Sequence, residues 1–370
     1  MAKLPELCEI QYGYAFDSAC FTENNTYLPL VRIRDVKRGY SETFYSGNYP
    51  SDYVIDSGSL LVGMDGEFNI ARWKGGHALL NQRVCKITAK EDVNEEYIRF
   101  ALSKALKKIE NRTAFVTVKH LSAKELNQLE IDVPNYTTQT DIAKVLTQIE
   151  SIISARQQQL QKLDELVKAR FIELFGDINA NDREWNVQPL GELCTIVRGG
   201  SPRPIEKYLG GDIPWIKIGD ATDGESIYLY STKEHITQAG VSKSRMVKSG
   251  SLIFANCGVS LGFARIITFD GCIHDGWLAM ENIDERLDKV FLLQSLNQMT
   301  EHFRRIAPAG TQPNLNTAIM KDYKQIIPPL ELQKEFIAFV AQTDKMKAAV
   351  QKALDEAQLL FDSLMQKYFN

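Results

Sequence analysis

The chain has 370 residues, of which 44% are hydrophobic and 24% charged, and its formal net charge is −4. This length predicts two ordinary domains with their own cores, and the absence of a long apolar run or a secretory signal predicts a soluble, cytoplasmic protein with no membrane contact. The balance of 43 basic and 47 acidic residues excludes a uniformly basic nucleic-acid binder, so a positive surface has to be local.

The first segment, residues 1–138, predicts a domain of mixed α and β structure. Short β-branched and aromatic stretches lie between clusters of Gly, Asn, Asp and Ser, which is typical of strands. One of these predicted strands is YLPLVRIRDV at 27–36, and the segment VNEEYIRFALSKALKKIENR at 93–112 predicts a helix.

The second segment, residues 139–177, predicts a long amphipathic helix. Steps of seven residues give two interleaved rows, in which eight of ten positions are apolar. The predicted seam residues are Leu146, Ile149, Ile153, Leu160, Leu163 and Val167.

The third segment, residues 178–330, predicts a second mixed domain. Its predicted strands include DIPWIKIGD at 212–220, and DKVFLLQSLNQMTEHFRRIA at 288–307 predicts a helix just before the domain ends. Each of the four segments of the chain, the two domains and the two helices, carries a net charge of −1, so no segment is basic as a whole.

The last segment, residues 331–370, repeats the heptad pattern at an offset of 194 residues. The identical register predicts coiled-coil pairing, most simply of the two long helices with each other. If the helices pair antiparallel, they form a rod about 55 Å long with one domain at each end, related by a pseudo-twofold axis. Its predicted seam residues are Val340, Val350, Leu354, Phe361 and Leu364.

Four collinear blocks indicate that the chain is an internal repeat. The blocks keep their order while the offset drifts from 185 to 194 residues, as insertions in loops would cause. The matched pairs are LPELC at 4–8 with LGELC at 190–194, LPLVRIRD at 28–35 with IPWIKIGD at 213–220, SGSLL at 57–61 with SGSLI at 249–253, and VP at 133–134 with IP at 327–328.

Motifs for catalysis, cofactors and metals are absent from the sequence. It contains no phosphate loop, HExxH, GxSxG or dinucleotide fingerprint, and its six cysteines form no zinc pattern, which predicts reduced thiols that mostly fill the cores. A nucleophile could be proposed in the segment 257–262, and a base with its orienting carboxylate in His274 and Asp275. Structural or ligand-contacting roles are favoured for both.

Polar loops at corresponding places of the two domains form a candidate DNA-binding set. Guanidinium, amide and hydroxyl groups suit phosphates and base edges, and the loops differ in side chain between the domains, as expected if each reads its own half of a target. The candidate residues are Tyr12, Tyr14, Arg32, Arg34, Lys37, Arg38 and Lys119 in the first domain, and Arg198, Ser201, Arg203, Lys217, Lys243, Arg245, Gln312 and Asn314 in the second.

Over essentially its whole length, this pattern resembles the specificity subunits of Type I restriction-modification systems. The most specific elements are the two closing blocks, in which Pro134 and Gln139, and again Pro328 and Gln333, lead directly into a long helix. The resemblance implies an α+β fold with two target-recognition domains and two antiparallel helices.

The resemblance also implies a non-catalytic subunit that binds double-stranded DNA at an asymmetric, two-part site with a nonspecific spacer. It implies assembly with two modification subunits, which carry S-adenosylmethionine and methylate adenine, and with restriction and motor subunits that use ATP and Mg²⁺. No cofactor or metal is expected in this chain.

Three alternatives stay open at the level of the sequence. A coiled-coil scaffold without DNA specificity would join other proteins only. An enzyme with a diverged site would need clustered carboxylates or a cofactor loop. A specificity subunit of a related methylating nuclease would share the DNA-binding role.

Overall fold

The structure is a computed structural model, and it describes residues 1–112, 119–221, 227–258, 261–308 and 314–369, apart from the side chain of residue 112. The chain divides into two compact units. The first unit comprises Met1–Gln158 together with Gln351–Asn370, and the second comprises Gln159–Val350.

The described residues of the first unit form three sheets and four helices before the first long helix begins. Its strands are β1 (Ala2–Lys3), β2 (Cys8–Tyr12), β3 (Phe21–Thr22), β4 (Leu28–Val31), β5 (Phe44–Tyr45), β6 (Val54–Ile55), β7 (Leu60–Gly63), β8 (Ile70–Arg72), β9 (Ala78–Leu80), β10 (Val84–Ala89) and β11 (Glu130–Ile131). Its helices are α1 (Leu4–Leu7), α2 (Ile33–Arg38), α3 (Glu95–Arg112), α4 (Ala123–Asn127) and the first part of α5 (Tyr136–Phe175).

The second unit repeats this succession of elements. Its strands are β12 (Asn186–Pro189), β13 (Thr195–Arg198), β14 (Leu209–Ile216), β15 (Tyr228–Leu229), β16 (Glu234–Ile236), β17 (Arg245–Val247), β18 (Leu252–Ala255), β19 (Ala264–Ile267), β20 (Gly271–Ile273), β21 (Trp277–Glu281) and β22 (Lys324–Ile327). Its helices are α6 (Leu190–Leu193), α7 (Ile218–Ala221), α8 (Gln238–Val241), α9 (Lys289–Gln298), α10 (Thr300–Ile306), α11 (Thr317–Asp322) and the first part of α12 (Leu330–Tyr368).

Sheet topology confirms the predicted internal repeat. The order β2-β10-β7-β8 in the first unit corresponds to β13-β21-β18-β19 in the second, and β5-β4-β9-β6 corresponds to β16-β14-β20-β17. In both units one pair of neighbours is parallel, β4 with β9 and β14 with β20, while the other pairs in these two orders are antiparallel. The mixed α and β class predicted for both domains is therefore confirmed.

The prediction of one continuous strand over 27–36 is wrong at its carboxyl end. Strand β4 ends at Val31, and helix α2 begins two residues later. The Asp35 carboxylate accepts a hydrogen bond of 2.9 Å from the N–H of Arg32, which satisfies a free donor at the helix start. The segment 212–220 breaks in the same way after β14, and the helix predicted over 288–307 is divided between α9 and α10.

Each half of the two long helices packs into the core of one unit. In the first unit, Ile142 and Leu146 of α5 share an apolar cluster with Met365 of α12 and with strands β2, β7 and β10. In the second unit, Phe171 of α5 and Phe336 of α12 lie edge to face, with ring centroids 5.3 Å apart. Burying these aromatic rings removes a large apolar area from water.

Ion pairs of the second unit give the direction of the helix pairing. Arg170 of α5 binds Glu335 of α12, and Asp164 of α5 binds Lys347 of α12. Residues later in α5 therefore pair with residues earlier in α12, as antiparallel helices require.

All eleven predicted seam residues are at least partly withdrawn from solvent. Five of them are buried and six are half-buried. The buried seam residues are Leu146, Ile149, Val167, Val340 and Val350, and the half-buried ones are Ile153, Leu160, Leu163, Leu354, Phe361 and Leu364.

The six cysteines all lie in the described part of the chain and are unpaired there. Burial raises the pKa of the Cys8, Cys85 and Cys194 thiols to about 12, so these side chains are neutral at physiological pH. Among the described residues, no helix combines the length and apolarity that crossing a bilayer requires.

Candidate nucleic-acid interface

The edge where β4 and β9 end together forms the first candidate surface. Leu80 pairs with Val31 in parallel, so the residues that follow the two strands lie next to each other at one edge of the sheet. Arg32 follows β4, and the run from Asn81 to Arg83 follows β9. These residues line a cavity of about 340 Å³ that also includes Arg34.

A larger cleft of about 820 Å³ adjoins this cavity and shares Arg32 and Arg34 with it. The Arg32 guanidinium lies 6.0 Å from the ring centroid of Phe21, and Arg34 donates to the Thr43 hydroxyl at 3.2 Å. The side chain of Arg34 is 52% exposed, and its Nε lies 3.6 Å from the Asp35 carboxylate, so its charge is partly neutralised. An anion or a base edge would meet guanidinium donors on this surface.

A histidine and a carboxylate lie at the same edge of the first unit. His120 Nδ1 is 2.5 Å from an Asp65 carboxylate oxygen, and Arg83 Nε lies 3.6 Å from the other oxygen. The neighbouring Lys119 forms an ion pair of 3.2 Å with Glu110. The structure thus brings Lys119 to the edge that carries Arg83.

The second candidate surface is built around the loop after β13. Ser201 donates a hydrogen bond of 2.8 Å to the Asp275 carboxylate, and Arg198 Nε donates 3.0 Å to the carbonyl of the same residue. These contacts fix the loop beside the end of β20. Arg203 is exposed and lines a cavity of about 450 Å³ together with Ser201 and His274.

Lys217 corresponds in position to Arg32, because it follows the parallel strand β14. Its N–H donates to the Asp220 carboxylate at 2.8 Å, which repeats the helix start seen in the first unit. Its ammonium group forms an ion pair of 2.5 Å with Glu234 and lies 5.5 Å from the ring centroid of Trp215. The charge of Lys217 is therefore partly neutralised.

The pKa of His274 on this surface departs from its ordinary value. Burial lowers its pKa, and nearby Lys217, Arg203 and Arg198 lower it further, while the adjacent Asp275 raises it. Its Nδ1 lies 3.0 Å from an Asp275 carboxylate oxygen and accepts a hydrogen bond of 3.0 Å from the N–H of Gly276. The hydrogen bond from Gly276 assigns the proton of the neutral ring to Nε2. The imidazole is thus a single hydrogen-bond donor.

Three other candidates of the second unit lie close to this loop. Arg245 Nε donates to the carbonyl of Arg198 at 3.4 Å, and the exposed Lys243 has its ammonium group 5.3 Å from the ring centroid of Tyr208. Asn314 forms an isolated bridge with Cys257 and accepts a hydrogen bond of 3.1 Å from the Asn256 amide.

The remaining candidates are placed differently. Tyr12 packs against the core cluster of the first unit and donates to Asn127 at 2.9 Å. Lys37 and Arg38, at the end of α2, form long contacts of 3.8 and 3.9 Å with carboxylates. Tyr14 is 41% exposed and forms a parallel bridge with Asn81. Gln312 lies outside the described residues.

Sequence reasoning overlooked Asn81, Gln82 and Arg83, and it treated His274 and Asp275 only as a loop pair. Isolated polar residues leave no periodic signal. The pairing of β4 with β9, and of β14 with β20, brings them to the candidate surfaces. The signal that identifies them is structural, since both runs directly follow the second strand of a parallel pair, where open sheets bind ligands.

The two surfaces share their scaffold and differ in side chains. Both are rich in hydrogen-bond donors and cations, and within the described residues no cluster of His, Cys, Asp and Glu could hold a metal ion. The arrangement is suited to binding an anionic polymer with polar edges.

Comparisons with known proteins give a consistent result. A family model described as Type I restriction modification DNA specificity domain matches residues 1–165 and 182–357. The Type I restriction enzyme EcoBI specificity subunit of Escherichia coli is 37% identical over 166 residues, which are 45% of this chain and 35% of that protein. The chain thus spans about a third of the EcoBI subunit in this match. A putative type I restriction enzyme specificity subunit of Haemophilus influenzae is 24% identical, covering 100% of this chain and 98% of that protein.

Solved structures share the fold. The S subunit of a Type-I restriction-modification system from M. genitalium has a TM-score of 0.58 at 17% identity, covering 100% of this chain and 95% of that one. A chain from a type I R-M system that was analysed for complex assembly and conformational transition has a TM-score of 0.59 at 17% identity, with coverages of 100% and 97%.

Proposed function

Since the chain belongs to the Type I restriction-modification DNA specificity family, we propose that it recognises an asymmetric, two-part double-stranded DNA sequence. Each unit binds one half-site, and the subunit itself carries out no reaction. Methylation of adenine with S-adenosylmethionine, and cleavage driven by ATP with Mg²⁺, belong to its partners in the cytoplasm.

The observation that supports this proposal best is the pair of donor-rich surfaces at equivalent strand ends. Arg32, Arg34 and Arg83 surround one cavity, and Arg203 and His274 line the other. Phosphate contacts position a protein on DNA, whereas contacts with base edges provide sequence specificity. Two identical scaffolds with different side chains suit two different half-sites.

The net charge of −4 is compatible with DNA binding when the positive groups are local and partner subunits add phosphate contacts. Exposed apolar residues of the long helices support a docking role for two modification subunits. Leu359 is 72% exposed and Leu360 51% exposed on α12, and Ile172 is 57% exposed on α5.

The decisive experiment coexpresses the chain with its modification subunit and maps adenine methylation across a genome. We expect one asymmetric motif made of two specified parts and an unspecified spacer. A single continuous motif contradicts two-part recognition. The absence of any motif, with the complex assembled, favours a scaffold without DNA specificity.

Replacing the exposed Arg203 by alanine should weaken recognition of one half-site only, because its guanidinium lines the cavity of the second unit. Loss of one good base or phosphate contact predicts about a tenfold weaker affinity. The matched control is Lys321→Ala, which removes an exposed positive charge from α11 of the same unit. Duplex binding by the assembled complex measures both variants, and equal loss at both half-sites contradicts the assignment.

A further inference from the structure

Residues 81 and 274 occupy equivalent positions in the two units. Each is the first residue after a strand, β9 or β20, and each of these strands pairs in parallel with a neighbour. The carboxyl ends of parallel strands meet at one edge, so Asn81 comes out beside Arg32 and His274 beside Lys217. The N–H of His274 also donates to the carbonyl of Ile216, at 3.0 Å.

A glycine fixes the main chain at both positions in the same way. The Gly13 N–H donates to the Val84 carbonyl at 3.0 Å, and the Gly199 N–H donates to the Trp277 carbonyl at 2.9 Å. A Cβ atom on Gly13 would lie 2.1 Å from the carbonyl oxygen of residue 81, and one on Gly199 would lie 2.1 Å from that of residue 274. The equivalence therefore extends to the backbone atoms, and only the side chains distinguish the two sites.

The Asn81 side chain is buried without a partner. The residue is only 7% exposed, and its amide oxygen makes no hydrogen bond to any described part of the chain. It lines the cavity between Arg32 and Arg83. An unpaired buried acceptor destabilises the folded protein, so a ligand group that donates to it would offset this loss.

The His274 side chain offers the opposite polarity. Its Nδ1 already accepts from Gly276, and Nε2 makes no hydrogen bond to the residues that the structure describes. Trp215, whose ring centroid lies 5.4 Å away, and Arg203 line the same cavity of about 450 Å³. A ligand at this position meets two donors, the imidazole N–H and the guanidinium.

We propose that Asn81 and His274 are equivalent base-reading residues, Asn81 for an adenine in one half-site and His274, with Arg203, for a guanine in the other. This inference rests on the proposed DNA-binding function. An asparagine amide accepts from adenine N6 and donates to N7, whereas guanine presents two acceptors, O6 and N7, to a pair of donors. An acceptor without a partner in one cavity and donors in the other match these two patterns.

The test measures the affinity of the complex with its modification subunit for duplexes that carry each base-pair replacement in turn. Asn81→Asp keeps the side-chain shape, but its carboxylate accepts from cytosine N4 and cannot donate to adenine N7. We expect one A·T pair of the first half-site to lose about 5- to 150-fold in affinity, with C·G gaining preference there.

His274→Gln provides the reciprocal variant, since a glutamine amide pairs with adenine. One G·C pair of the other half-site should change to an A·T preference, while the first half-site stays unaltered. Lys107→Gln, which removes an exposed charge from α3, is the matched control and should leave every base preference unchanged.

The possible failures can be distinguished. If the wild-type complex binds no two-part sequence, both the proposed function and this inference are overturned. If the wild-type complex binds such a sequence and the two variants change no base preference, or weaken all base pairs equally, only the inference is overturned. A changed preference at a single base pair cannot result from partial unfolding.

Discussion

At the scale of single residues, the candidate surfaces depend on positions where the backbone leaves room only for glycine. Gly199 is the clearest example, because a Cβ atom there would lie 2.1 Å from the carbonyl oxygen of His274. Backbone atoms cannot move aside as the end of a flexible side chain can. The loop and the strand end would have to separate, and the cavity would change shape with them.

Gly199→Ala should therefore lower the free energy of unfolding by about 1–3 kcal/mol, as overpacked sites do, and should weaken one half-site. The matched control is Gly219→Ala, because the Cβ at Gly219 would meet open space and alanine favours its helix. Urea unfolding and duplex binding measure both variants. Equal stability of the two proteins would contradict the close backbone approach.

A half-buried carboxylate gives the helix pair of the second unit a dependence on pH. Burial raises the pKa of Asp344, Lys347 lowers it, and Asp164 raises it again. A carboxyl whose folded pKa is raised contributes stability at low pH, which is lost as the pH rises through the folded pKa. Ionised Asp344 therefore opposes folding near neutral pH.

Asp344→Asn should raise the urea midpoint at pH 7, and the gain should disappear as the pH falls through the raised pKa of the wild-type carboxyl, which then takes up its proton. Asp355→Asn, at an exposed position on the same helix, is the control and should change the midpoint little. An increase in the urea midpoint of Asp344→Asn that becomes larger as the pH falls would contradict a raised pKa of Asp344.

At the scale of secondary-structure elements, two buried glutamines connect the long helices to their domains. Gln139 accepts from the N–H of Asn94 at 2.8 Å and donates to the carbonyl of Pro134 at 2.8 Å. Gln333 does the same with Asp288 at 2.8 Å and Pro328 at 2.7 Å. The proline and glutamine spacing that is so specific in the sequence is therefore a hydrogen-bonded helix start.

Gln333→Leu should cost about 3 kcal/mol of unfolding free energy, because it leaves the N–H of Asp288 and the carbonyls of Pro328 and Arg286 unpaired. Gln342→Leu, on the exposed face of the same helix, should stay within about 0.5 kcal/mol of the wild type. Thermal and urea unfolding distinguish the two variants. Similar stabilities would mean that the buried hydrogen bonds contribute little.

The sequence predicts repetitive elements better than single contacts. The heptad pattern of the long helices persists over five repeats, so one charged residue at a seam position, such as Lys347, does not hide it. The end of β4 at Val31 was missed because a single Asp35 carboxylate starts the next helix there, without altering the apolar alternation. Asn81 was missed because its neighbours come from a strand about 50 residues away along the chain.

At the scale of the whole molecule, the proposed function makes the length of the helix pair a determinant of the target. Insertion of one heptad within residues 142–174, with a matching insertion in α12, adds about 10 Å of helix. The spacer between the half-sites should then lengthen by about three base pairs, at about 3.4 Å each, with both half-sites unchanged. Methylation mapping measures the spacer, and altered half-sites with a constant spacer would refute this role.

The division of the first unit between both ends of the chain also affects the order of folding during synthesis. Met365 lies in the same core as Ile142 and Leu146, yet the ribosome adds it much later than either of them. All residues of the second unit, 159–350, precede it. The second unit is thus complete while the nascent first unit still exposes part of its apolar helix face, which reverses the usual N-terminal-first order of co-translational folding.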